Sequence, residues 1–388
     1  MTTLKAIIGA NWGDEGKGRM TDYFAYVAAK PCIVVCTNGG AQRGHTVVTD
    51  DGFQHIFHHF GSGTLAGADT YLPKEYIVNP IIFMQEYREL TNYRFITYMN
   101  YDCLCSTPYD MMINQIIEEE RGVNKHGSCG VGIWETLLRN EATVGEMKHM
   151  SDNELYSYLK GVRDTYFLNR IKSKKMDIPK RWCDIYFSEQ LIMNYIRDFR
   201  LMMSRVVLQD NFVLKEYQTV IFENGQGLLL DQNIKDSCHS TPSNTTSYNI
   251  KKMVNEVFSN DYELEVCYVT RSYLTRHGNG ELTSECNIPE WISKTSETNV
   301  WNKNQGLFRY GVIDRDELIS RIEVDYFNYW TNNFNTRISI ALTHVDEYID
   351  CILLNMLRKY KVYETCGRRR GDIFTKNPIS KEIVYEVI

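Results

Sequence analysis

The chain has 388 residues, 43% of them apolar and 24% charged, with a net charge of −6. That balance supplies a large buried core and argues against a protein that coats nucleic acid. There is no apolar run of about 18 residues, and Met1 to Lys5 leads straight into a strand-like stretch. A cytoplasmic protein with no membrane segment and no signal peptide is therefore expected. Eleven cysteines, an odd number scattered along the sequence, suit free thiols better than a disulfide framework. Cys103 and Cys105, with His58 and His59 upstream, lack the paired spacing of a zinc site.

In chain order, Ala6, Ile7 and Ile8 read as a buried strand running into a glycine-rich turn, I-G-A-N-W-G-D-E-G-K-G-R at Ile8 to Arg19. Gly9, Gly13, Gly16 and Gly18 let backbone N–H groups approach an anion, and Lys17 can reach a terminal phosphate. Asp14 is the unusual member, since a carboxylate beside phosphates needs a metal or a basic role to justify it. The spacing differs from the ordinary P-loop, and a tight strand-to-helix turn is the bland alternative. Ile33 to Cys36 is a second buried strand, followed by a second loop from Asn38 to Val47 that carries His45 beside Gly44. An imidazole there can act as acid, base or hydrogen-bond donor, or can simply be a satisfied structural residue.

Asp110 to Glu120 reads as an amphipathic helix, and about 152–209 as a helical insertion whose basic cluster (Lys172, Lys174, Lys175, Lys180, Arg181) suits a solvated face or a subunit contact. Val220 to Phe222 is a third strand, ending in Glu223-Asn224-Gly225-Gln226-Gly227, where the glutamine offers both a donor and an acceptor. Leu264 to Val269 and Ile338 to Leu342 add two more strands. The last runs into Thr343-His344-Val345-Asp346, whose aspartate suits guanine's N1–H and 2-amino group or, equally, a helix cap. Buried strands alternating with helical stretches predict an α/β fold: a large, mostly parallel central sheet with flanking helices, in a single unit over 1–388. The glycine loops then fall at the carboxyl ends of strands, where such sheets bind ligands.

Taken together these segments resemble the adenylosuccinate synthetases, GTP-dependent ligases of purine nucleotide synthesis. W-G-D-E-G-K-G-R at Trp12 to Arg19 is similar to their first signature, and Gly39 to Val47 to their G-G-x-N-A-G-H-T-V loop. Phe222 to Asp231 resembles F-E-G-A-Q-G-x-L-L-D, Ser243 to Thr246 resembles S-N-T-T, and Leu274 to Gly280 resembles S-T-R-V-G-x-G. Gly127 to Ile133 is similar to a phosphate loop, Thr343 to Asp346 to T-K-L-D, and Thr365 to Arg370 to a terminal base loop.

The resemblance implies that GTP phosphorylates the 6-oxygen of a 6-oxopurine nucleotide, IMP, and that the amino group of L-aspartate then displaces the phosphate. It implies Asp14, His45 and Lys17 as catalytic residues, and Mg²⁺ on Asp14 and the Gly44 carbonyl. GTP contacts would come from Gly13, Glu15, Gly16, Lys17, Gly18, Gly44, Thr46, Asp346, Thr365 and Gly367. Acceptor-nucleotide contacts would come from Gln42, Ser128, Cys129, Arg139, Gln226, Thr241 and His277, with Arg309 for the aspartate carboxylate. Arg139 would reach a neighbouring subunit's nucleotide, which implies a homodimer.

Departures cluster around the acceptor: Gln42, Arg43 and Cys129 replace the pattern's asparagine, alanine and threonine, and His277 replaces a valine near the ribose. The arginine-rich segment is reduced to Gln305 to Arg309. Losing a ribose-contacting arginine suits relatives from bacteriophages that use dGMP, with GTP, ATP or dATP as donor, so dGMP is the alternative acceptor after IMP. A regulatory GTP-binding switch is the alternative of another class; it would have no use for Asp14 with His45.

Overall fold

The computed structural model describes residues 1–234, 239–259, 261–282, 284–287, 292, 306, 308–331, 333 and 335–378. Ten strands form one sheet. Their order across it is Ile373–Lys376, Lys361–Thr365, Thr336–Thr343, Tyr262–Arg271, Thr2–Gly9, Thr219–Gly227, Cys32–Cys36, Asp69–Leu72, Thr97–Met99 and Val207–Leu208. All neighbours run parallel except the first pair. The central strands are continuous apolar runs because helices cover both faces; Cys32–Cys36 is buried at every residue. The parallel arrangement brings Gly9, Cys36, Gly227, Arg271, Thr343 and Thr365 to one edge of the sheet.

The helix expected from Asp110 to Glu120 spans Pro108–Arg121. Thr107 caps it, Asp110 returns the hydrogen bond, and Pro108 occupies the first turn, where its missing N–H costs nothing. Up to Met203 the 152–209 segment is mostly helical, with breaks at 174–179 and 187–188. Its longest helix, Glu189–Met203, buries Ile192, Tyr195, Ile196, Phe199 and Met202 against the helices Pro80–Glu89 and Asp152–Gly161. Its last residues, Val207–Leu208, pair with Thr97–Met99 and become the edge strand of the sheet. Two residues are too few to show an alternation in sequence. Lys172, Lys174, Lys175, Lys180 and Arg181 are exposed in the single chain, and Lys174 borders the cavity described below.

A small antiparallel sheet stands apart, with Leu274–His277 paired to Phe308–Gly311 and that strand to Glu285–Cys286. Among the described residues, no helix is long and apolar enough to cross a membrane.

Candidate functional site

The first loop is held open by a carboxylate and by glycines. Glu15 Oε1 accepts from the N–H groups of Asn11 and Gly13, at 2.9 Å each, while Oε2 takes Lys17 Nζ at 2.8 Å. A side chain on Gly9 would strike Glu15, Lys17 and the Gln226 carbonyl, all within 2.8 Å of its Cβ position. The loop can close on itself only without one. Gly16 precedes the helix Lys17–Val27 in a left-handed conformation and offers no side-chain cap, so the first N–H groups of that helix are left for an anion. Asp14 takes a left-handed φ of 57°, a strained setting that an aspartate tolerates better than most residues. Its carbonyl accepts Arg271 Nε at 2.6 Å, which ties the loop to the end of the neighbouring strand.

The second loop lies against that helix. Gly18 allows this, because a Cβ there would stand 2.9 Å from the Cβ of His45. His45 Nδ1 is 2.8 Å from Glu223 Oε1, and Glu223 Oε2 accepts from Arg43 at 3.0 Å and from the Ser62 N–H at 3.2 Å. Arg43 and Glu223 have no exposed side-chain surface. Burial alone would raise the Glu223 carboxyl, but Arg43 and then His45 hold it well below the usual carboxylate range. Burial pushes His45 below its ordinary value, with Glu223 opposing, so the imidazole is neutral near pH 7. A carboxylate only accepts, so Nδ1 carries the hydrogen and Nε2 is the nitrogen open to a ligand.

These loops border a cavity of about 1690 Å³. One ligand needs roughly 300–1,000 Å³, so two fit. Of the residues singled out in the sequence, Gly13, Asp14, Lys17, Gln42, Gly44, His45, Ser128, Cys129, Gln226, Thr241 and His277 line it. Both amide atoms of Gln42 and the Oε1 of Gln226 are buried without a hydrogen-bond partner among the described residues, which is the signature of polar groups waiting for a ligand. Asn114 donates to Ser128 at 2.9 Å and accepts from the Gly132 N–H at 3.2 Å, shaping the 127–132 loop. Burial, then the charge of Asp14, pushes the Cys129 thiol up to about 11, so it is a neutral, weak donor. His277 brings its Nε2 to 3.7 Å from Asp14 Oδ2 and packs on Phe308.

The remaining expected nucleotide residues sit at the same sheet edge outside that cavity. The Thr343 hydroxyl donates to the Glu15 carbonyl at 2.8 Å, and the Val345 N–H reaches the Thr365 carbonyl at 3.3 Å. The segment around Asp346 is thus joined both to the phosphate loop and to the Thr365–Gly367 turn. Asp346 is exposed and acts electrostatically on Arg19, whose guanidinium donates to Thr365 at 2.6 Å. The helix-cap alternative falls to Asp350, which accepts from Ile352 and Leu353. Gly367 has a φ of 90° and backs onto Asp372, and Thr46 is half-buried on the His45–Val48 strand.

Three of the expected site residues have side-chain partners within the chain. The Glu15 side chain faces into its own loop, leaving only its backbone to meet phosphate. Arg139, expected to reach another subunit, is fully buried in its own. It donates to Asp110 at 2.9 and 3.1 Å, to the Cys105 carbonyl at 2.8 Å, to the Glu141 carbonyl at 2.7 Å and to Tyr158. It therefore gives no support to a shared dimer site. Arg139→Met should lower stability by about 3–5 kcal/mol, measured by urea unfolding, because Asp110 would stay buried without its partner. Arg309, expected to hold aspartate, engages Glu285 through its Nε at 2.9 Å and through NH2, and also meets the carbonyls of Gly278 and Gly280. In the segment read around it, Gln305 and Leu307 lie outside the described residues.

Arg43, Arg271 and Glu223 escaped the sequence reading as site residues. For Glu223 a signal existed: a carboxylate inside the run Val220-Ile221-Phe222-Glu223 must be paired if that run is a buried strand.

A parallel sheet with glycine loops and a large cavity at its carboxyl edge defines an α/β protein with a ligand-binding architecture. The chain belongs to the adenylosuccinate synthetase family, whose model matches residues 6–367. It is 26% identical over 293 residues to the adenylosuccinate synthetase of Chlorobium limicola, covering 73% of this chain and 64% of that one. It is 27% identical over 312 residues to that of Buchnera aphidicola, covering 76% and 69%. Among solved structures, the fully ligated adenylosuccinate synthetase of Plasmodium falciparum superposes with a TM-score of 0.67 at 20% identity, over 90% of this chain and 78% of that one. The succinoaminodeoxyadenylate synthetase of cyanophage S-2L, bound to dGMP and to dATP as an energy donor, gives 0.65 at 14% identity, over 96% and 95%. Both likenesses are of the fold.

Proposed function

We propose that this protein is a GTP-dependent ligase that joins L-aspartate to the 6-position of a 6-oxopurine nucleoside monophosphate, with IMP as the first acceptor to test. The observation that carries this reading is that Asp14, the Glu223-held His45, the Gln42 amide and the Gln226 amide oxygen, the last two buried without a partner among the described residues, all border one cavity with room for two ligands. Asp14 takes the N1 proton of the purine and so turns its 6-oxygen into a nucleophile. That oxygen attacks the terminal phosphorus of GTP, and GDP leaves. The amino group of aspartate then attacks C6, and the phosphate departs. His45, neutral in the free site, gains a proton from solvent when an anionic phosphate adjoins it and then donates from Nε2 to the phosphoryl oxygens.

Asp14 and the Gly44 carbonyl are hard oxygen donors bordering the same cavity, which suits Mg²⁺. Among the described residues no three His, Cys, Asp or Glu side chains converge as a metal site, so phosphate and water oxygens would complete the shell. Bound there, the ion would neutralise charge on the phosphates.

The second reading takes dGMP as acceptor, with ATP or dATP as possible donors. It is favoured by His277 at the position near the ribose where the family pattern has valine. A matrix of IMP, GMP and dGMP against GTP, ATP and dATP, with aspartate and magnesium, followed by ultraviolet absorbance and phosphate release, tests both. Phosphate release is expected only when aspartate and a 6-oxopurine monophosphate are both present. GTP hydrolysis at the same rate without an acceptor would overturn the ligase in favour of a regulatory switch.

A further inference from the structure

We propose that the basic stretch from Arg170 to Arg181 is a landing surface for an anionic nucleoside monophosphate, which it draws by its phosphate toward the cavity at Lys174. The proposal rests on the ligase reading only for the identity of that nucleotide. Six cations and one carboxylate, Asp177, fall within this stretch of a chain whose net charge is −6. Two of the cations meet carboxylates: Arg170 engages Glu135 at 2.7 and 3.0 Å, and Arg181 engages Glu119. Lys172, Lys174, Lys175 and Lys180 are exposed and form no ion pair among the described residues. Like charges gathered without partners repel one another, and an anion arriving from outside relieves that repulsion.

Placement decides which anion. Arg170 and Tyr166 both bind Glu135, in the first turn of the helix Ile133–Arg139, which follows directly on the 127–132 loop. The basic stretch is thereby fastened beside the loop that carries Ser128 and Cys129. Arg170 and Lys174 line the cavity together with Arg121, His126 and Ser128, and Lys174 and Arg121 both act electrostatically on His126. Glu118 and Glu135 line it too, but both are engaged: Glu118 accepts from Arg121 and from the N–H groups of His126 and Gly127, and Glu135 accepts from Arg170. A cleft bordered by one sign of charge focuses the field into its opening and speeds encounter with the opposite charge by about 10–10³-fold. A phosphate dianion is drawn more strongly than singly charged aspartate.

Stopped-flow mixing of the whole protein with IMP and with dGMP, followed by the fluorescence of Trp12 and Trp134 on the cavity wall, measures association and dissociation separately. The wild-type association rate should fall as salt rises from about 10 mM to about 150 mM, because the screening length shrinks from about 30 Å to about 8 Å. With Lys172→Gln, Lys174→Gln and Lys175→Gln combined, association should be about 10-fold slower at low salt and respond only weakly to salt, while dissociation stays unchanged. Lys172→Arg, Lys174→Arg and Lys175→Arg together, which keep the charge, should retain the wild-type rate. Equal association in the wild type and the glutamine variant overturns the proposal, as does a loss that shows only in dissociation or only in oligomeric state. A wild-type rate indifferent to salt overturns it without any variant, and so does failure of both monophosphates to bind. Salt-dependent association without turnover defeats the ligase reading alone, so the two fail separately.

Discussion

Replacing Asp14 by asparagine should leave a folded, nucleotide-binding protein whose turnover is lower by about 10²–10⁴-fold, the range for loss of a general base. Folding should survive because asparagine adopts the left-handed conformation as readily as aspartate does at φ 57°. The tie from Arg271 is to the Asp14 carbonyl and is independent of the side chain. What the amide cannot do is accept the N1 proton. Steady-state kinetics with saturating aspartate, alongside nucleotide binding by calorimetry, separates the two effects. A variant with wild-type turnover would remove Asp14 from the chemistry.

The second large effect is expected at Glu223, where stability and activity should fall together. Glu223→Gln removes the charge shared by Arg43 and His45 and strands a guanidinium with no exposed surface. Loss of one partner of a buried ion pair costs about 3–5 kcal/mol. Turnover should drop as well, because the variant amide no longer fixes the hydrogen of His45 on Nδ1. The stability difference has a defined pH dependence. Because the folded-state value of Glu223 is depressed from an ordinary 4.5, its contribution is fully present above that pH and is lost as the solution is acidified below it. Urea midpoints of wild type and variant should therefore be furthest apart near neutrality and converge towards acid. A gap that does not depend on pH would mean that packing, not charge, accounts for the loss.

The α/β class was legible in sequence because parallel strands covered on both faces are continuous apolar runs, and Ile33 to Cys36, Val220 to Phe222, Leu264 to Val269 and Ile338 to Leu342 are of that kind. The glycines of the first loop were legible for a similar reason: close approach and left-handed backbone leave few other choices, as Gly9 and Gly16 show. Side-chain destinations were not legible to the same degree. Arg139 reads as a cation available to a neighbouring subunit's nucleotide, yet Asp110, twenty-nine residues earlier, lies close enough to pair with it in the interior. Arg309 reads as an open guanidinium, yet it sits on a strand bordering Glu285 and engages that carboxylate.

Local chemistry along the chain determined where strands end, where an anion can approach and which side chains carry acid, base or metal-binding capacity. Those properties depend on backbone conformation and on functional groups a few residues apart. Tertiary packing alone decided which charges meet: Arg43 with Glu223 across 180 residues, and Glu223 with His45 across 178. Electrostatic pairing depends on distance in space and on the exclusion of water, and neither is fixed until the sheet has brought the ends of its strands together.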